Sequence, residues 1–148
     1  MTHGHAALVI DASVAVKWVL EEPGSAWARA LPASGAELSA PSLLCAECGN
    51  ALWRMVRTDR IDASLLERFW SAIAAVPLSL RHADWALNAA ALRLSMRLDH
   101  PIYDCLYLAL ALERGAALAT ADQRFLRVLR RSDVLPPDRL LTLPETGA

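Results

Sequence analysis

Four acidic residues in this chain sit where a carboxylate is hard to explain as surface decoration. Asp11 directly follows the apolar run Leu8-Val9-Ile10, and Asp122 falls two residues past Ala117 to Thr120. Asp104 stands just after Pro101, with apolar residues following it as far as Leu112. Glu47 lies in Pro41 to Leu52 with no other charge around it. A carboxylate on so apolar a helix is costly unless something pairs with it. Four carboxylates gathered together repel one another and raise each other's pKa, a penalty that a hard divalent cation such as Mg2+ or Mn2+ removes. A metal held that way activates water, polarises a phosphoryl oxygen and stabilises a leaving oxyanion. The chemistry expected of the set is therefore cleavage of a phosphodiester bond. No Ser-His-Asp or Cys-His arrangement offers a competing nucleophile. Ser13 and Thr120 are hydroxyls near strand ends, better placed to orient carboxylates than to attack.

Each acid also has a plainer reading. Asp11 and Asp122 can cap helices after strands. Asp104 can pair with Arg93 or Arg97, and Glu47 with Arg54 or solvent. Each plain reading needs its own explanation, whereas one metal site accounts for all four.

The elements that must position these residues alternate between strand and helix. Strands are expected at Ala6 to Ile10, Glu37 to Ala40, Val76 to Leu80, Ala116 to Ala119 and Leu140 to Leu143. Ser13 is expected to cap a helix from Val14 to about Leu20. Further helices are expected over Ser25 to Leu31, Leu43 to Arg57 behind Pro41, Ala63 to Ala75, and His82 to Arg97. Two more are expected: one from Asp99-His100-Pro101 to about Arg114, closed by Gly115, and one from Thr120-Ala121-Asp122 to near Arg131. Strands that are continuously apolar and alternate with helices predict an α/β sandwich, with a mostly parallel sheet of about five strands covered on both faces. Ligands of such sheets bind beyond the carboxyl ends of the strands, which is where Asp11 and Asp122 stand.

With 148 residues the chain suits a single domain spanning 1–148, with 1–6 and 145–148 as loose ends. No apolar stretch is long enough to span a bilayer, and Met1-Thr2-His3-Gly4-His5 lacks a basic leader, so a cytoplasmic protein without membrane attachment is expected. The net charge of −1 argues against coating nucleic acid through bulk charge. The basic residues are arginines apart from Lys17. Two sets, Arg54, Arg57 and Arg60, and Arg124, Arg127, Arg130 and Arg131, read either as solvated helix faces or as contacts to RNA phosphates or acidic partner residues. Cys45 and Cys48 have C-x-x-C spacing, yet no second pair completes a zinc site and the motif lies inside a helix, so both cysteines, and Cys105, read as core. Core is also the default for Trp18, Trp27, Trp53, Trp70 and Trp85, with an interface role open to some.

Four segments together carry a family resemblance: Leu8-Val9-Ile10-Asp11-Ala12-Ser13; Pro41-Ser42-Leu43-Leu44-Cys45-Ala46-Glu47; Tyr103-Asp104-Cys105-Leu106-Tyr107; and Ala119-Thr120-Ala121-Asp122-Gln123-Arg124-Phe125. In order and at this spacing they resemble PIN-domain nucleases, and at this length the VapC toxins of VapBC toxin–antitoxin pairs. The resemblance implies a PIN-like α/β/α sandwich and a Mg2+-dependent endoribonuclease, with Mn2+ as a possible substitute, leaving 5′-phosphate and 3′-hydroxyl ends. It also implies a homodimer, inhibited by a VapB-like antitoxin whose tail fills the active-site groove. By the same resemblance Asp11 and Asp104 are the leading metal ligands, Asp122 is a ligand or water-positioning acid, and Glu47 is a ligand directly or through water. Ser13 and Thr120 support them by hydrogen bonds, and Arg124 and Arg127 are candidates for RNA or antitoxin contact. No small-molecule cofactor is expected. Other readings are an RNA-processing nuclease outside a toxin system and a binding module without catalysis. A haloacid-dehalogenase pattern fails because its second Asp is Ser13 here, and a phosphoacceptor receiver fails for want of a paired acid and a late Lys.

Overall fold

The computed structural model describes residues 4–144. Five strands form one sheet: β1 (Ala7–Ile10), β2 (Glu37–Pro41), β3 (Ser79–Arg81), β4 (Ala117–Ala119) and β5 (Leu140–Leu141). Every pairing is parallel and the order is β3-β2-β1-β4-β5. The sheet is thus fully parallel, which its sequence explains. Leu8, Val9, Ile10 and Ala117, Leu118, Ala119 are buried, and strands covered on both faces need apolar residues at consecutive positions.

Seven helices among the described residues flank the sheet in the PIN-like α/β/α arrangement: α1 (Ala12–Ala15), α2 (Ser25–Ala30), α3 (Leu43–Arg57), α4 (Leu66–Ala74), α5 (Trp85–Leu98), α6 (Ile102–Arg114) and α7 (Gln123–Arg130). Helix α6 crosses β1, β2 and β4, and α5 packs against it. Every residue of α6 from Cys105 to Ala111 is buried, as expected of a helix that is apolar all round. Its position fixes Asp104, in its first turn, over the carboxyl end of the sheet. None of the helices among the described residues is long and apolar enough to cross a membrane.

Several boundaries differ from the sequence expectations for identifiable reasons. The first helix begins at Ala12 rather than Val14 and tightens into a 3-10 turn at Val16–Trp18. Ser13 is therefore inside it, and Ser13 does not cap it. The strand expected at Val76 to Leu80 starts at Ser79, because Val76 N–H donates to Ile73 and Pro77 has no donor to offer a ladder. Asp62 caps a 3-10 turn ahead of α4, and Asp84 caps α5 by accepting from the Leu87 amide, so both helices begin later than their apolar patterns. Gly115 closes α6 in the left-handed conformation (φ 62°), as expected of a residue without a Cβ. The ends expected to be loose lie partly outside the described residues, and Ala6 is tied to the sheet through its carbonyl, which accepts from the Glu37 amide.

The tryptophans depart from the core expectation. Trp18 and Trp27 pack against the core, but Trp53, Trp70 and Trp85 are exposed. Cys48 and Cys105 are buried as expected, whereas Cys45, one turn earlier on α3, is exposed.

Candidate active site

The sheet order reverses direction between β1 and β4: β2 and β3 follow β1 on one side, β4 and β5 lie on the other. Connections leaving neighbouring strands in opposite directions open a crevice at their carboxyl ends. Asp11 leaves β1 there, and Thr120 leaves β4. The Asp11 amide still donates to Ala119 (3.0 Å), so the two strands stay in register up to the point where the carboxylate emerges.

Two hydroxyls hold that carboxylate. Ser13 Oγ donates to Asp11 Oδ2 at 2.6 Å and Thr120 Oγ1 donates to the same oxygen at 2.8 Å. The hydroxyls are themselves seated by backbone: Ala121 N–H donates to Ser13 Oγ and Asp122 N–H to Thr120 Oγ1. Both side-chain donors use Oδ2, which leaves Oδ1 to the cleft.

The other acids arrive from three further elements. Glu47 projects from the second turn of α3, where Tyr107 of α6 donates its hydroxyl to Oε1 at 2.6 Å. Asp104 stands in the first turn of α6, with Oδ2 2.6 Å from His100 Nε2. Asp122 caps α7 through Oδ1, which accepts from the amides of Arg124 and Phe125. All four line one open cleft of about 400 Å3, together with Ser13, Asn50, Arg54 and Tyr103.

The plain readings can now be separated. Asp11 makes no side-chain cap, although it occupies the capping position of α1. Asp122 does cap its helix, and it also faces the cleft with the others. Asp104 pairs with neither Arg93 nor Arg97, since Arg97 bridges to Asp133. Glu47 accepts from Tyr107 rather than pairing with Arg54. Among the described residues, no Lys or Arg forms an ion pair with any of the four acids.

This leaves an electrostatic imbalance. Burial pushes the Asp11 carboxyl from 3.8 up to about 7, against the lowering effect of the Ser13 and Thr120 hydroxyls, with Asp104 and Glu47 adding to the rise. Burial also raises Glu47, opposed by Tyr107 and assisted by Asp104 and Asp122. Asp104 is raised by burial and by Asp122, and is pulled back by His100 and the Arg124 charge. Tyr107 is pushed upward by burial and by the nearby acids, so it stays a donor to Glu47.

The donor set is all oxygen, which suits a hard divalent ion rather than zinc or copper. Among the described residues, no three His, Cys, Asp or Glu side chains stand close enough together to chelate one ion directly. The acids surround a space instead of meeting at a point, an arrangement that fits an ion keeping part of its water shell, as Mg2+ commonly does. A second cavity, between α3 and α4, is about 140 Å3 and is lined by Trp18, Cys45, Cys48, Trp70 and other apolar groups, with no acid. Cys48 opens onto it with a thiol pushed up to about 12 by burial, an inert group.

The sequence places His100 at a helix start and Tyr107 within a motif segment, with no sign in either placement of a hydrogen bond to an acid. Their i, i+4 and cross-helix relations to Asp104 and Glu47 were the available signals. Of the arginines, Arg54 lines the cleft; Arg124 is near enough to influence Asp104, whereas Arg127 does not line the cleft.

A stability prediction follows from Asp11. Its raised folded-state pKa means that the unfolded chain sheds a proton between about pH 4 and pH 7 that the folded state retains. The metal-free protein should therefore lose stability as pH rises through that window, by at most roughly 4 kcal/mol. Asp11→Asn keeps an oxygen for both hydroxyls and should be more stable than the parent at pH 8 in chelator, by about 1–3 kcal/mol, and no more stable at pH 4. Urea titrations at the two pH values check this. A less stable Asn variant at pH 8 would contradict it.

The relation to known proteins agrees with this geometry. The model of the PIN domain family matches residues 8–130. No curated protein matches the sequence. The fold is similar to that of PAE2754 from Pyrobaculum aerophilum, with a TM-score of 0.69 at 21% identity, covering 95% of this chain and 88% of that one. It is also similar to Mycobacterium tuberculosis VapC20, described as a toxin cleaving the sarcin–ricin loop, with a TM-score of 0.65 at 15% identity, covering 82% of this chain and 94% of that one. A chain of a toxin–antitoxin complex from Klebsiella pneumoniae gives a TM-score of 0.63 at 12% identity, over 94% of this chain and 99% of that one. At such identities the likenesses speak for the fold, and the family model spans most of the sequence: this chain belongs to the PIN domain family.

Proposed function

We propose that the protein is a Mg2+-dependent endoribonuclease acting as the toxin of a toxin–antitoxin pair. The observation that carries the reading is the cleft itself, where four acids from four different elements face one space and, among the described residues, none of them is ion-paired with a Lys or Arg. Their uncompensated charge is costly for a fold and useful for holding a divalent ion. That ion, when bound, supplies the charge that activates water and stabilises the leaving oxygen. Asp11 and Asp104 are the leading ligands in this reading. Asp122 and Glu47 reach the ion directly or through water, and Ser13 and Thr120 keep Asp11 aimed into the cleft. Water adds to phosphorus in line with the departing 3′ oxygen. One new end keeps the 5′-phosphate and the other a 3′-hydroxyl, with the elements of water shared between them.

Arg54 at the cleft wall and Arg124, whose charge reaches Asp104, are the groups best placed to meet RNA phosphates or the acidic residues of an antitoxin. The VapC20 toxin and the Klebsiella complex are the neighbours that favour a toxin role over general RNA processing.

RNA incubated with the protein and Mg2+ should be cut, and EDTA should abolish cutting. Asp11→Asn and Asp104→Asn should each lower the rate at least roughly 100-fold. Cleavage that persists in EDTA, or in both variants, would sink the metal mechanism. In cells, growth arrest should depend on the same acids and be relieved by the antitoxin.

A homodimer is part of this reading, and α5 supplies a surface for it. Leu87 and Ala91 of α5 face the core, while Trp85 (93% exposed), Ala89, Leu92 and Met96 (79% exposed) form the opposite stripe at spacings of four, three and four. Two such helices paired antiparallel about a two-fold axis set Trp85 against Met96 and Ala89 against Leu92, large against flexible and small against large. With Tyr103 added, the pairing would cover on the order of 1,000 Å2, at the lower end for specific interfaces. Sedimentation should give a dimer for the parent and a monomer for the pair of changes Leu92→Glu and Met96→Glu. A dimer that survives both changes would rule this surface out.

A further inference from the structure

His100 is a buried side chain in direct contact with a cleft acid, Asp104. Its side chain is 3% exposed and that of Asp104 is 22% exposed, so His100 does not touch the solvent side of the cleft. Its Nε2 lies 2.6 Å from Asp104 Oδ2. An ionised carboxylate has only acceptors to offer, so Nε2 carries the proton and donates.

The ring is held from the opposite face. The Phe125 ring stacks on it with centroids 5.1 Å apart and planes 14° from parallel. Phe125 is fully buried, and its amide is one of the two that donate to Asp122 Oδ1. The backbone of His100 is fixed as well. It follows Asp99, which turns out of α5 in the left-handed conformation (φ 49°), and its amide donates to Ser95, whose hydroxyl donates back to the His100 carbonyl. Pro101 then sets the entry to α6.

We propose that His100 is a positioning residue that fixes the Asp104 carboxylate for ion binding and, through its stack on Phe125, ties Asp104 to Asp122. The route is continuous: Asp122 caps α7, the capped turn carries Phe125, Phe125 seats the imidazole, and the imidazole orients Asp104. Asp104 and Asp122 come from different helices and repel each other, so without such a link each would relax away from the other. Hydrogen bonds to ligating groups from the next layer of residues are typically worth roughly 10- to 100-fold in metal affinity or activity. The two acids of α6 and α7 thus share one mechanical support, as Asp11 has its own in Ser13 and Thr120. This inference rests on the reading of the cleft as a divalent-ion site.

The test separates the hydrogen bond from the stack and the inference from the reading beneath it. Mn2+ affinity is measured by titration with paramagnetic resonance detection for the parent, His100→Phe, His100→Gln and Asp104→Asn, alongside RNA cleavage and thermal melting. His100→Phe keeps an aromatic ring on Phe125 and loses the donor, and should bind Mn2+ roughly 10- to 100-fold more weakly. His100→Gln restores an N–H near the Nε2 position and should recover most of that loss. Nitrogen-15 spectra of the parent should show the proton of His100 on Nε2, with that signal shifted in Asp104→Asn, a readout that holds even where a variant folds poorly. Unchanged Mn2+ affinity in His100→Phe, an equal loss in His100→Gln, or a proton on Nδ1 would each overturn the inference while leaving the nuclease reading intact. A parent that neither binds Mn2+ in the cleft nor cuts RNA would bring down both.

Discussion

One oxygen atom, Oδ2 of Asp11, accepts hydroxyls from Ser13 just beyond β1 and from Thr120 just beyond β4. The cleft depends on that junction. Parallel strands separate where their connections leave in opposite directions, and a gap there would ordinarily fill with water. Here the gap is bridged by a carboxylate and two hydroxyls, each hydroxyl also accepting from the backbone of the β4–α7 connection. The arrangement fixes where Asp11 points, and it fixes the path of the chain that delivers Asp122. Helix α6 must then cross the same strands to bury its apolar length, which brings Asp104 over the junction and Tyr107 under Glu47.

The same construction sets stability against function. Three of the four acids are held above their ordinary pKa by burial first and by one another second. Folding the metal-free chain at neutral pH therefore works against desolvation and like-charge repulsion, a cost that a purely structural site would have shed by replacing an acid or adding an arginine. The fold instead supplies hydroxyl donors (Ser13 and Thr120 to Asp11, Tyr107 to Glu47), which orient the carboxylates without neutralising them. Neutral donors leave the negative potential of the cleft available to a cation, whereas a paired arginine would cancel it.

Much of this was legible in the residues. Asp11 and Asp122 could be placed in one crevice because both follow apolar strands, and the sheet has the parallel form that those runs require. Asp104 and Glu47 stood out because each is alone in apolar surroundings. What the residues concealed was tertiary. Ser13 reads both as a helix cap and as a hydroxyl that orients an acid, and its hydroxyl goes to Asp11 while it caps no helix. His100 before Pro101 reads as the start of a helix, and Tyr107 in an apolar run reads as core. His100 and Tyr107 fit those descriptions, and each also makes a hydrogen bond to an acid that local pattern does not reveal. Trp85 and Met96 lie on the α5 face directed away from the core, and no periodicity in that helix separates a buried stripe from an exposed one.

The central claim is that the four acids enclose a divalent ion. Crystals soaked in Mn2+ and measured at the manganese absorption edge test it most directly. The account predicts an anomalous peak inside the cleft, within direct or single-water reach of both Asp11 and Asp104, that disappears in Asp11→Asn. A cleft that stays empty at saturating Mn2+, or a peak that persists unchanged in that variant, would contradict it.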